Sequence, residues 1–401
     1  MNSFNDSLRR VLLIPPDFTR YHSNAGEITQ ILYQQLKNES EVKILPALGT
    51  HTPLTNQEIE IMFGKIPKNK FITHDWRNDV IEVGTVPSEL IKDLSEDKLN
   101  YSIKVEINKH LKDNYDLIIS IGQVVPHEVS GMANGNKNIL VGVGGSDMIN
   151  KSHFLGACYG MERLIGRIDT PVRSLFNYAE SDCLEDLPLI YVLTVLGKKQ
   201  NGKISLRGIY GGNKQQPYKK AAILSQKVNL TVFDNPFDKI IVYLEPNEYK
   251  STWLGNKAIY RTRMVIKDGG DLIIVAPGLR RFGEDNIIDN LIRKYGYRSS
   301  REIIHAVSEN KDLQENLSAA AHLIHGSSEG RFNITYCSDS ITKDEIEGVN
   351  YQFMNPKDIS LYDPKKLIEG YNHLPNGEDI FFIINPAIGL WTVSTKFNNS
   401  M

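Results

Sequence analysis

Three side chains able to do chemistry, His127, Lys137 and His153, fall within 27 residues of one another in the run DLIISIGQVVPHEVSGMANGNKNILVGVGGSDMINKSHF. Small residues, among them Gly131, Ala133, Gly135, Gly142, Gly144 and Gly145, lie between them and let a ligand approach the backbone closely. A lysine in such a loop forms a covalent bond to a cofactor when it is desolvated enough to be neutral; it equally suits phosphate binding or plain solvation. His153 stands 16 residues beyond Lys137, and imidazole is the commonest side chain for nickel or zinc. One loop can bring both groups to one ligand.

Two further polar tips follow apolar runs. Asp17-Phe18-Thr19-Arg20 comes after residues 10–14 (RVLLI) and Pro15-Pro16, and Gly49-Thr50-His51-Thr52-Pro53 comes after residues 42–48. Both stand at the carboxyl ends of expected strands, where open α/β sheets place their ligands. An aspartate and an arginine three apart can hold a hydroxyl and an anion, or form a solvated turn with an Asp cap for the helix that follows. A lone histidine such as His51 serves as a structural hydrogen bonder as readily as a catalyst, but its position opposite the Asp17 loop favours function. His74-Asp75 reads as structural.

The elements that must position these groups follow from hydrophobic period. Residues 10–14 form a buried strand, Ile28, Leu32 and Leu36 mark a helix over 27–37, and 42–48 form a second strand, giving a βαβ start. Thr55 and Glu58 make a capping box for a helix to Phe63. Strands are expected at 102–107 and 115–121, with the second apolar run after Lys137 as another, and a helix starting at His153. Residues 187–196 and 204–210 flank Asn201-Gly202, a hairpin signal. After a helix over 217–228 the pattern restarts near Asp238, with strands at 240–244, 272–276, 334–337 and 380–384 and a helix over 251–266. The fold class is therefore α/β: two α/β domains with mostly parallel sheets and the active site in the cleft between them. Residues 1–232 form an N-terminal catalytic and cofactor-binding domain, and 233–401 a C-terminal domain that closes over the site.

Composition excludes several classes of function. A chain of 401 residues exceeds one ordinary core, and a hydrophobic content of 41% with 23% charged residues suits a globular protein. The net charge of −2 offers no field for nucleic acid or an anionic membrane. No signal-peptide core or membrane-length apolar run is visible, so a cytoplasmic location is expected. Cys158, Cys183 and Cys337 are too scattered for a disulfide framework or a CxxC knuckle, leaving histidine or carboxylate for any metal. Neither common nucleotide cradle occurs, and no Gly-x-Ser-x-Gly elbow points to acyl transfer.

Taken together, Asp17-Phe18-Thr19-Arg20, Gly49-Thr50-His51-Thr52-Pro53, Pro126-His127 with Gly131 through Lys137, and Asn150-Lys151-Ser152-His153 resemble the lactate racemase family that uses the nickel-pincer nucleotide. The family's interval of ten residues from the Pro-His histidine to its lysine is reproduced, as is the interval of 16 to the metal-binding histidine. The resemblance covers the first ~155 residues by motif, and beyond them the α/β layout and the segment 257–270.

The resemblance implies that Lys137 bears the cofactor covalently, with Asp17, Thr19, Arg20 and Gly135 around it, and that His153 ligates its nickel. His51 and His127 are then the acid/base pair, and Arg20, Trp253 and Lys257 contact substrate. The implied reaction inverts C2 of a 2-hydroxy carboxylic acid. Its α-hydrogen is barely acidic beside an ionised carboxylate, and reversible hydride transfer avoids the carbanion. Cofactor-biosynthesis proteins are implied partners. The family's Ser-Gly-Gly-x-Lys is Ala133-Asn134-Gly135-Asn136-Lys137 here, and its Tyr-Gln before the substrate lysine is Trp253-Leu254. A sugar acid or aromatic-chain acid therefore fits as well as lactate. A net 2-hydroxy acid oxidoreductase using the same cofactor, or a non-catalytic nickel or nucleotide carrier, are the alternatives.

Overall fold

Apolar β-branched runs form the centre of each sheet because parallel strands covered on both faces have no solvent side to keep polar. In Leu117–Gln123 every residue is buried, and in Arg10–Ile14 all but the first. A computed structural model describes residues 8–198 and 203–398 of the chain. These divide into two compact units, one of the described residues up to 155 and from 164 to 229, and one of 156–163 and those from 230 onward.

The first unit is built on a five-stranded sheet in the order Glu41–Ile44, Arg10–Ile14, Leu117–Gln123, Leu189–Lys198, Ile204–Gly212. The first four strands are parallel and the last is antiparallel to its neighbour. The chain enters at Arg10–Ile14, moves to one side, then returns to place Leu117–Gln123 on the other. The topological switch, the place where such sheets bind ligands, thus lies between these two central strands. One face of the sheet packs Val11, Leu13, Leu117, Ile119 and Ile121 with Tyr33, Met62 and Phe63, from the helices Ala25–Leu36 and Asn56–Phe63. The Thr55/Glu58 capping box is present as expected. Asn201-Gly202 lies outside the described residues, but the strands flanking it pair antiparallel from Lys198 opposite Ile204.

Two local expectations are corrected. The apolar run after Lys137 is no strand: Asn138–Gly142 forms one wide helical turn, in which Val143 N–H donates to Asn138 O at 3.1 Å. A short apolar run fits strand or helix equally by period, and here the carbonyl of Asn136 captures Leu140 N–H at 2.9 Å and starts the turn. The helix expected to start at His153 is Ser146–Tyr159, so His153 lies in its middle.

The second unit carries a six-stranded sheet in the order Gln352–Met354, Asn333–Cys337, Ile266–Val275, Phe237–Tyr243, Asp379–Ile383, Gly370–His373, parallel except for the last pair. The helix expected over 251–266 is two, Thr252–Gly255 and Lys257–Thr262, followed by the strand. Gly255 and Asn256 divide them: the buried Asn256 carboxamide oxygen accepts from Tyr336 and Tyr351 hydroxyls at 2.7 and 3.2 Å. Both sheets are mostly parallel, as the sequence implies. Among the described residues no helix is long and apolar enough to cross a membrane.

Candidate active site at the switch of the first sheet

Four segments meet beyond the carboxyl ends of the central strands of the first unit. The Pro16 and Ala47 loops bridge in parallel, Ala47 N–H donating to Pro15 O at 2.8 Å. Gly49 N–H donates to Gly142 O at 2.8 Å, which ties the His51 loop to the turn after Lys137. Asn138 fastens that turn from below, its Nδ2 donating to Ile14 O at 3.2 Å and Ser120 Oγ at 3.0 Å. Lys137 is thereby fixed over the switch point.

Asp17 caps the short helical turn Phe18–Ser23, its Oδ1 accepting from Thr19 N–H at 3.0 Å and Thr19 Oγ at 2.6 Å. Its other oxygen, Oδ2, accepts from His51 Nδ1. Burial pushes the Asp17 carboxyl up, but the His51 charge and hydrogen bond, the Thr19 hydroxyl and the Arg20 charge together outweigh it, so the group lies below its ordinary value. An ionised Asp17 therefore receives the Nδ1 proton of His51 and leaves Nε2 of that ring as a free lone pair. Asp17 orients His51, and Thr19 orients Asp17.

His127 sits on a two-residue strand, Pro126–His127, paired with Gly131–Met132. In the turn between them Val129 N–H donates to His127 Nδ1 at 3.1 Å, and Glu128 Oε1 lies 3.7 Å from Nε2. Burial drives the pKa of His127 well below its ordinary value; Glu128 opposes this, while Lys137, Arg20 and His153 add to it. The ring is neutral.

Lys137 is half-buried, and burial lowers its pKa to about 8, with Glu128 opposing and Arg20 and Arg173 assisting. His153 donates Nδ1–H to Ile149 O at 2.6 Å, so Nε2 carries the lone pair, and burial with the Lys137 charge brings its pKa to about 4. A histidine anchored through one nitrogen to a backbone carbonyl presents the other to a metal. Among the described residues no three His, Cys, Asp or Glu side chains converge on one metal. A metal at His153 would draw its other ligands from a bound group.

The loop that bears Lys137 depends on residues that the sequence did not single out. Arg173 is 1% exposed, and its guanidinium donates to Met132 O at 2.7 Å, to Asn134 O at 3.2 Å and to Asn136 Oδ1, with its carbon 3.9 Å from the Tyr218 ring centroid. Gly135 has φ +66° and follows Asn134 at φ +62°, two left-handed residues in succession. At Gly122, one residue before the end of its strand, a Cβ would come 1.9 Å from Asn134 Nδ2, so any larger residue there must displace that side chain. An arginine next to the apolar face of Pro171–Cys183 was the available signal for Arg173; Glu128 and Asn138 gave none beyond their neighbours.

Asp17, Thr19, Arg20, His51, His127, Gly135, Lys137 and His153 all belong to the first unit, and Arg20 and Lys137 lie near enough to His127 to act on its charge. Trp253 and Lys257 belong to the second. There the Trp253 ring lies 4.5 Å from that of His322, and the Lys257 ammonium 5.6 Å from the Tyr249 ring centroid.

The first unit is thus an α/β unit with histidines and a lysine of lowered pKa near the switch point of its sheet. Residues 1–162 match the family described as the lactate racemase N-terminal domain. The similarity to that family by its model is confined to this N-terminal part of the chain. It is 27% identical over 289 residues to a lactate racemase of Thermoanaerobacterium thermosaccharolyticum, an alignment covering 67% of this chain and 60% of that protein. It is 25% identical over 150 residues to the lactate racemase of Lactiplantibacillus plantarum, covering 36% and 32% of the two. A crystal structure of a Thermotoga maritima protein superposes with a TM-score of 0.84 at 25% identity, covering 97% of this chain and 94% of that one. The lactate racemase apoprotein of T. thermosaccharolyticum gives 0.71 at 19% identity, covering 96% and 87%, and shows the same fold.

Proposed function

We propose that the chain is a racemase or epimerase that inverts C2 of a 2-hydroxy carboxylic acid. The observation that carries this reading is the carboxylate-oriented His51 at the same sheet end as His127, Lys137 and His153. A carrier needs no such combination.

The residues fit the nickel-pincer nucleotide. With a pKa of about 8, roughly a tenth of Lys137 is neutral amine at pH 7, which is the form that makes a covalent bond to a carboxyl-derived group. His153 offers Nε2 to nickel, and Gly135 and Thr19 stand on the loops that would border the nucleotide. When bound, this cofactor supplies a reversible hydride acceptor. The chain's own residues hold and move the proton. His51 Nε2 takes the substrate hydroxyl proton and Asp17 stabilises the imidazolium that results. Arg20 balances the substrate carboxylate. Loading requires cofactor-making proteins.

Intact mass of protein co-expressed with cofactor-making enzymes should show a nucleotide-sized adduct that Lys137→Ala lacks. The loaded protein should invert at least one member of a panel running from lactate to sugar and aromatic-chain acids. An adduct with no inversion across the panel would reject the racemase reading.

A further inference from the structure

Lys137 stands between two asparagines whose side chains are both held. Asn138 Nδ2 reaches Ile14 O and Ser120 Oγ. Asn136, 1% exposed, reaches the helix Pro171–Cys183 instead. Its Nδ2 donates to Asn177 Oδ1 at 2.9 Å and to Glu180 Oε2 at 3.1 Å, while its Oδ1 accepts from Arg173. Both N–H groups and the oxygen of the carboxamide are therefore used. Only one orientation serves all three partners, since turning the amide over would set N–H against the guanidinium and oxygen against the carboxylate. Arg173, Asn177 and Glu180 follow one another at i, i+4 and i+7, which puts them on one face of the helix.

Glu180 is itself fixed. Its Oε1 accepts from the Tyr191 hydroxyl at 2.6 Å, and Oε2 accepts from Gln215 Nε2 as well as from Asn136. Burial first, and then the Glu180 charge, push the Tyr191 pKa well above its ordinary value, so the phenol stays a donor. Three donors converge on this carboxylate, and Tyr191 ties it to the strand Leu189–Lys198. On the other side, Lys137 follows two left-handed residues, Asn134 and Gly135, which belong to no helix or strand. Its course is therefore set by its neighbours' side chains.

We propose that Asn177 and Glu180 are positioning residues for Lys137: acting through the Asn136 carboxamide, they fix the direction in which the lysine leaves its loop. Glu180 contributes more than Asn177, because a hydrogen bond to an ionised acceptor is roughly twice as strong as one between neutral groups. A covalent bond to a bound group forms only over a narrow range of approach, and a lysine on a flexible stem keeps to that range only when its Cα is held.

This rests on the cofactor reading for what Lys137 receives, but not for its test. Glu180→Gln sets an N–H2 where only acceptors fit, and Asn136→Asp sets a carboxylate against Glu180. In the double variant Asn136→Asp/Glu180→Gln donor and acceptor change places, the net charge returns to that of wild type, and the contact is rebuilt. On the full chain without cofactor, hydrogen exchange of the segment 131–142 should quicken about tenfold in each single variant. In the double variant it should return to within about threefold of wild type, with the second unit unchanged throughout. Wild-type exchange in Glu180→Gln, or a double variant no slower than Glu180→Gln, overturns the proposal. An equal rise in the second unit, the mark of general loosening, overturns it too. The double variant is compared with Glu180→Gln, so the decision holds even where Asn136→Asp alone does not fold. Co-expressed with cofactor-making enzymes, Glu180→Gln should carry about a tenth of the wild-type adduct by intact mass, and the double variant at least about half. Equal adduct in Glu180→Gln and wild type overturns it as well. A wild type without adduct removes the cofactor reading alone, and the exchange comparison still decides the positioning.

Discussion

Arg173 shows how much a single side chain can govern. Its buried guanidinium spans Met132, Asn134 and Asn136 and ties the loop to the helix that carries it. Arg173→Gln should therefore cost about 2–4 kcal/mol in urea unfolding, because several buried carbonyls lose their donor together. Arg173→Lys should recover only part, since one ammonium cannot reproduce the planar fork. A variant within experimental error of wild type would show that the loop holds itself. At this scale the sequence was informative about end groups and silent about supports. Asp17, His51, His127, Lys137 and His153 stand out because their chemistry is in the side chain and they follow apolar runs. Arg173 and Asn138 act largely on backbone carbonyls, which every residue possesses, so no residue pattern says which segment they hold. The Asp17–His51 bond lay between these cases: the two loops were placed opposite each other, but which atoms met was not legible.

The elements were legible where burial is complete and least so at the margins. Arg10–Ile14 and Leu117–Gln123 read as strands because both faces are covered. Gly370–His373, with the sequence GYNH, and Gln352–Met354 lie at sheet edges, where one side is free to be polar and the period disappears. The turn Asn138–Gly142 escaped because the residues after Asn138 are apolar and its course is set by contacts to Asn136 and Ile14. Gly122 couples a strand to the loop that follows. Gly122→Ala should displace Asn134, cost about 1–3 kcal/mol, and slow modification of Lys137 by amine-reactive reagents in native protein relative to wild type. Wild-type stability and unchanged labelling would mean that Asn134 moves aside without consequence.

Across the whole molecule, buried neutral histidines make stability depend on pH. His74 is 3% exposed, donates Nε2–H to Gly144 O at 3.1 Å and accepts at Nδ1 from Asn108 at 3.0 Å; burial chiefly, against Asp75 and Asp79, lowers its pKa. Its folded pKa lies below the unfolded value near 6.5, so the unfolded chain takes the proton first. The contribution is complete above about pH 6.5 and is lost as pH falls from there. Between pH 7.5 and 5.5 the Tm of wild type should drop further than that of His74→Gln; parallel curves would remove His74 from the acid response. The restart of the βα pattern near Asp238 was legible at this scale, whereas the grouping of residues 156–163 with the second unit was not, because it depends on contacts made far along the chain. One consequence of the first sheet concerns the timing of synthesis. Val11 must wait for Leu117, about a hundred residues later, before its second neighbour exists, which at ribosomal rates takes roughly 5–20 s. Asn138 can reach Ile14 only after that. The segment that carries Lys137 can therefore take its final course only after the two central strands of the first sheet have paired.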